Sequence, residues 1–157
     1  EHPEGFRWLH ESFGTNWRMT EMQAAIGRIQ LGRMSNWHQQ RADNAQAILK
    51  VCAEFTNVIR MSEIDNDIEH AWYKLSVYVR LEGLKDGWDR NRIINEINQL
   101  DIPCYSGSCS EIYLEKAFDE EFRPKQRLKN AQELGETTLM FLVHPTLTAD
   151  EIQGTCD

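Results

Sequence analysis

No stretch of this sequence approaches the roughly 20 apolar residues that a membrane-spanning helix requires. Its opening residues also lack the apolar core of a signal peptide. Basic side chains are scarce: 17 lysines and arginines stand against 25 aspartates and glutamates, for a formal net charge of −8. A surface of that sign repels phosphate backbones and anionic lipid, which argues against nucleic acid and membrane as partners. A nucleotide-linked substrate remains compatible, because a local pocket need not follow the global charge. Cysteine is sparse as well. Cys104 and Cys109 lack the spacing of a zinc knuckle or redox motif, and Cys52 falls on an apolar helical stripe. The histidines form no close pair at ligand spacing. No metal site is expected, and reduced thiols in a cytoplasmic setting are. Internal repeats and low-complexity tracts are absent.

What is present suits one folded domain: 157 residues, 41% of them apolar, with five tryptophans. Residues 1–19 mix Pro3, Gly5 and Gly14 with aromatics and show no steady period, so they read as an irregular segment. Thr20 and Gln23 have the form of a capping box. Met22, Ala25, Ile26 and Ile29 follow at helical spacing, and a second stripe of Ala45, Ile48, Leu49, Cys52 and Phe55 carries helix to about Glu54. That is long for a globular helix, so a break is expected near Ser35–Asn36, where either side chain can cap a new start.

The period then changes. Tyr73, Leu75, Val77 and Val79 alternate with Lys74, Ser76, Tyr78 and Arg80, as in a half-buried strand, and residues 58–61 can pair beside it. Ile93, Ile94, Ile97 and Leu100 predict a short helix that Asp101-Ile-Pro103 leads out of. Residues 104–118 are small and polar, then aromatic. Leu128, Ala131 and Leu134 mark another helix, and residues 139–143 form a continuous apolar run, hence a buried strand. Thr148-Ala-Asp-Glu151 is a second capping box. Only Ile152 and Cys156 give its helix an apolar face, as if the chain stopped inside an element. The order describes an α+β domain with helices packed on one small sheet.

The run Gly14-Thr-Asn16-Trp-Arg18-Met-Thr20-Glu21, followed by Gln23-Ala-Ala-Ile-Gly27, resembles the segment after the cofactor lysine in the DegT/DnrJ/EryC1/StrS sugar aminotransferases. His70-Ala-Trp72, Asp101-Ile-Pro103, the loop to Tyr113, and Leu142-Val-His144-Pro145 follow in the family's order. The resemblance implies the C-terminal small domain of a fold type I homodimer, with helices on one face of a small, mostly antiparallel sheet. Residues 1–19 would link to a pyridoxal phosphate domain absent from this chain, and residues 20–157 would be the C-terminal domain, truncated within its last helix. The implied reaction moves an amino group from glutamate, through pyridoxal phosphate, to a keto-deoxy sugar on a nucleotide. The loop Ser106-Gly-Ser-Cys-Ser-Glu-Ile-Tyr113 looks like a branch serving surface polysaccharide such as O-antigen.

In that family the asparagine matching Asn16 reaches across the dimer to the cofactor phosphate. By residue type alone Asn16 is a turn residue. Arg18 either meets an anionic group or holds its loop through carbonyls, and the second reading is favoured. For the sugar, the matching loop supplies Tyr105, Ser106, Ser108 and Cys109, against the alternative of a polar turn facing solvent. Cys109 stands where the family commonly has a histidine, a departure that bears on the sugar contacts. His144 is read as fixing a strand end, and Trp72 and Trp17 as packing residues.

Pyridoxal chemistry needs a Schiff-base lysine and a phosphate cup. No lysine here follows a strand and turn that would present one, and no glycine-rich phosphate loop exists, so the chain alone is expected to be inactive. A dehydratase of the same family, with the lysine replaced, and a stand-alone interaction domain are the alternatives.

Overall fold

A computed structural model describes residues 17–107, 110–115 and 120–157. Two compact units divide the chain, Glu1–Met34 and Ser35–Asp157.

In the first unit the capping box forms as the sequence predicts. The Thr20 amide donates to Gln23 Oε1 at 2.9 Å, and the Gln23 amide returns to Thr20 Oγ1 at 3.3 Å. This opens helix α1, Glu21–Cys52. The expected break at Ser35–Asn36 does not interrupt the helix; both side chains are exposed there and neither starts a new one. Among the described residues of the first unit the large apolar side chains lie open: Met19, Met22, Ile26 and Ile29 are all more than half exposed. Trp17, expected to pack, is 90% exposed.

The second unit is built on a four-stranded antiparallel sheet in the order β1-β2-β4-β3. Its strands are β1 (Ile59–Arg60), β2 (Leu75–Val79), β3 (Cys104–Tyr105) and β4 (Thr138–Phe141). Leu75 pairs with Phe141 and Val77 with Leu139, so the apolar residues of the two central strands meet on one face. The alternation read from the sequence holds: Leu75, Val77 and Val79 are buried while Ser76 and Tyr78 are half-buried. The strand starts later than the pattern suggests, because Trp72 has a left-handed backbone (φ 46) and leaves Tyr73 74% exposed.

Ala45 and Ile48 of α1 pack on that face together with Trp72, Cys104 and Val143. Half-buried Ile93, Ile94 and Ile97 of α2 (Arg90–Gln99), Cys52, and Cys156 of α4 (Ala149–Cys156) close around them. Both capping residues of α4 act as predicted, the Thr148 amide donating to Glu151 Oε2 at 2.7 Å and the Glu151 amide to Thr148 Oγ1 at 3.2 Å. Helix α3 (Lys129–Thr137) runs directly into β4. Among the described residues no helix is long and apolar enough to cross a membrane.

Candidate functional site

The site that the sequence singles out begins at β3 and continues through the loop after it. Two residues make too short a strand to show a period, and β3 was not legible from alternation. A side chain holds it instead. Asn98, at the end of α2, donates to the Cys104 carbonyl at 2.9 Å and accepts from the Cys104 amide at 3.2 Å. Its amide thus does for the sheet edge what another strand would do. Burial pushes the Cys104 thiol up to about 11, so at neutral pH it stays a packed thiol and not a nucleophile.

From the buried Cys104 the chain turns outward: Tyr105 and Ser106 are exposed. The Ser106 carbonyl accepts from Arg90 Nη1 at 3.4 Å. Gly107 has a left-handed backbone (φ +81), and a side-chain carbon there would stand 2.8 Å from Thr138 Cγ2. The loop therefore passes close over the start of β4, and a glycine is required for it to do so. On the far side Ser110 lies against Gly135, where an added carbon would come within 2.7 Å of its hydroxyl oxygen.

The loop's far end is clamped to the entry of α3. Tyr113 Oη donates to Glu111 Oε1 at 2.6 Å and accepts from the Leu128 amide at 3.0 Å. Arg127 grips the same carboxylate through Nε and Nη2, a bidentate pair. The Arg127 guanidinium and the Tyr113 hydroxyl hold the Glu111 carboxyl down to about 2, so it remains ionised and engaged. The loop is held at the Ser106 carbonyl and at Glu111, and its exposed first residues, Tyr105 and Ser106, carry neutral hydroxyls. Such a surface can orient a polyhydroxylated ligand. Among the described residues no cluster of His, Cys, Asp or Glu could hold a metal ion.

Of the residues singled out by sequence, Tyr105 and Ser106 are neighbours on this loop, and Arg18 is exposed in the first unit. Asn16, Ser108 and Cys109 lie outside the described residues. Sequence reasoning missed Arg90, Asn98, and the Glu111–Arg127 pair. Arg90 and Asn98 sit at opposite ends of α2, where a polar residue looks like ordinary helix surface. For Glu111 the only signal was a carboxylate two residues before Tyr113. His144 Nδ1 lies 2.8 Å from Thr146 Oγ1 in the loop after β4.

The described lysines form no pyridoxal site. Lys50 lies in the last turn of α1, and Lys74, just before β2, lies with its ammonium 5.4 Å from the Tyr73 ring. These residues do not by themselves fit the cofactor.

The sequence profile described as "DegT/DnrJ/EryC1/StrS aminotransferase family" matches residues 2–157. An aminotransferase structure from Psychrobacter cryohalolentis is similar at 55% identity with a TM-score of 0.86, covering 99% of this chain and 42% of that one. The dTDP-3-amino-3,4,6-trideoxy-alpha-D-glucose transaminase of Streptomyces venezuelae is 27% identical over 142 residues, 90% of this chain and 35% of the relative. An E. coli GDP-4-keto-6-deoxy-D-mannose-3-dehydratase with bound hydrated PLP shares the fold, at 21% identity and a TM-score of 0.71, over 91% of this chain and 36% of that one. The chain thus spans well under half the length of the relatives it matches.

Proposed function

We propose, on the premise that this chain belongs to the DegT/DnrJ/EryC1/StrS aminotransferase family, that it is the C-terminal, sugar-facing part of a nucleotide-sugar transaminase. The intact protein passes an amino group from glutamate to a keto-deoxy sugar carried on a nucleotide, and its cofactor is pyridoxal phosphate. The observation that carries the reading is the 55% identity to the Psychrobacter aminotransferase over 99% of this chain. Supporting it is a clamped loop whose exposed residues, Tyr105 and Ser106, bear neutral hydroxyls, a donor set suited to sugar hydroxyls.

Within this division of labour, Tyr105, Ser106, Ser108 and Cys109 contact the sugar, and Asn16 and Arg18 steady the cofactor. Pyridoxal phosphate supplies the electron sink that amino transfer needs; this chain's residues bind and orient. Residues 1–19 link to the cofactor domain, residues 20–157 form the C-terminal domain, and by themselves they do not transaminate. A homodimer in the cytoplasm, serving surface polysaccharide such as O-antigen, completes the reading.

The test is direct. The intact protein, given glutamate and a dTDP-linked keto-deoxyglucose, should release 2-oxoglutarate. Borohydride should fix the cofactor covalently to a lysine outside residues 1–157. Loss of sugar oxygen without amine transfer, from a protein lacking that lysine, establishes the family's dehydratase chemistry instead, a fold this chain shares with the E. coli enzyme. A natural protein that binds no pyridoxal phosphate ends the catalytic reading.

A further inference from the structure

Arg90 is the first residue of α2, a poor place for a cation, since the helix dipole is positive there. No carboxylate pairs with it among the described residues. Its partners are three carbonyls on two segments: Gly135 O at 2.7 Å and Thr138 O at 3.2 Å at the end of α3, and Ser106 O at 3.4 Å on the loop. Gly135 lies in the last turn of α3 and Thr138 is its C-cap, so the guanidinium caps carbonyls that the helix leaves unpaired and meets the negative end of its dipole. That explains two contacts. The third, to Ser106, is not needed to end a helix, and it falls on the residue where the exposed loop begins.

We propose that Arg90 is a positioning residue for sugar recognition: it fixes the Ser106 backbone, and with it the Tyr105 and Ser106 hydroxyls, at the height the substrate meets. The inference rests on the reading above that this loop touches the sugar. The loop is held from two sides, by Arg90 at the Ser106 carbonyl and by the close approach of Gly107 to Thr138. Arg90 does not itself bind the substrate's diphosphate. Its Nη groups face protein carbonyls, and its Nε is buried without a partner among the described residues. Lysine replaces it only in part, because a single ammonium has no planar fork to span the end of α3 and the Ser106 carbonyl together.

The experiment uses the intact protein with Arg90→Gln, Arg90→Lys and Gly107→Ala, and a dTDP-linked keto-deoxyglucose as the sugar probe. Two rates are followed: turnover against sugar concentration, and the change in cofactor absorbance with glutamate alone. Displacing the loop by about an ångström should raise the sugar KM on the order of ten- to a hundredfold, with Arg90→Lys between Gln and wild type. The glutamate-only rate should stay at the wild-type value. A parallel fall in both rates, or an unchanged sugar KM in folded variants, overturns the proposal. Should the Arg90 variants not fold for want of the α3 cap, Gly107→Ala decides, since it lifts the same loop and leaves Arg90 in place; an unchanged sugar KM there also overturns it. A wild-type protein that aminates no keto sugar defeats the reading of the loop itself, a failure distinguishable from the others because no variant is involved.

Discussion

His38 Nε2 lies 2.8 Å from the carbonyl oxygen of His70. The other ring nitrogen of His38 faces Glu69 Oε1 at 3.1 Å, so one side chain on α1 meets the chain at Glu69 and His70, three and two residues before the left-handed Trp72. Arg41, nearly one turn further along, donates to the Tyr73 carbonyl at 3.2 Å. Together they hold the turn that delivers Trp72 to the core, a backbone conformation that costs energy unless its surroundings impose it. His38→Ala should therefore destabilise the protein by about 1 kcal/mol. It should also speed hydrogen exchange at the Trp72 amide, which donates to His70 Nδ1. Denaturant unfolding and exchange by NMR measure the two; exchange at wild-type rates would mean that the turn does not depend on His38.

Glu111 gives a pH dependence of definite sign. Its carboxyl is lowered from 4.5 to about 2 by Arg127 and then Tyr113. A carboxylate with a depressed pKa in the folded state stabilises above its unfolded pKa, and that contribution is lost as pH falls through the folded value. The difference in Tm between wild type and Glu111→Gln should be largest at neutral pH and shrink from about pH 5 to about pH 2. A gap that stays constant across this range would show that the carboxylate charge is not what holds the loop.

Asn98 is a second point of sensitivity. Asn98→Asp keeps the shape and the acceptor facing the Cys104 amide, but loses the donor to the Cys104 carbonyl. A buried carbonyl left facing a carboxylate costs about 2 kcal/mol. Both Asn98→Asp and Asn98→Ala should lower stability by roughly this amount, measured by urea unfolding. Equal stability of the aspartate variant and wild type would remove the side chain from the account of β3.

Asp101 offers the opposite sign. It follows α2 with a left-handed φ of 61, at a helix end where glycine is the preferred residue. Asp101→Gly should stabilise by about 0.5 kcal/mol, the gain from relieved strain partly offset by unfolded-state entropy. A lower Tm in the variant would show that the aspartate side chain makes up more than the strain.

The parts of the fold that were legible in the sequence are those governed by local rules. Thr20 with Gln23 and Thr148 with Glu151 needed only their own spacing to be recognised as caps, and both form. Leu75, Val77 and Val79 announced a strand because burial on one face leaves a period of two. Tyr73 broke that rule, since a left-handed residue one position earlier resets the direction of the chain before the strand begins. Ser35 and Asn36 suggested a helix start, yet solvent satisfies their side chains as readily in mid-helix, so α1 continues. At the site, residue types pointed to the loop carrying Tyr105 and Ser106. What holds that loop did not show, because the contacts of Arg90 with Gly135 and Thr138 join segments far apart in sequence and leave no pattern within either.

The strand order β1-β2-β4-β3 has a consequence for the newborn chain. On the ribosome β1 and β2 emerge before β4, and one edge of β2 then waits for Phe141 to reach Leu75. Through that interval the edge of β2 that pairs with β4 has no partner strand. Non-local pairing of this kind is slow, and exposed strand edges invite wrong partners. Any chaperone that grips extended apolar chain would meet β2 before its own neighbour does.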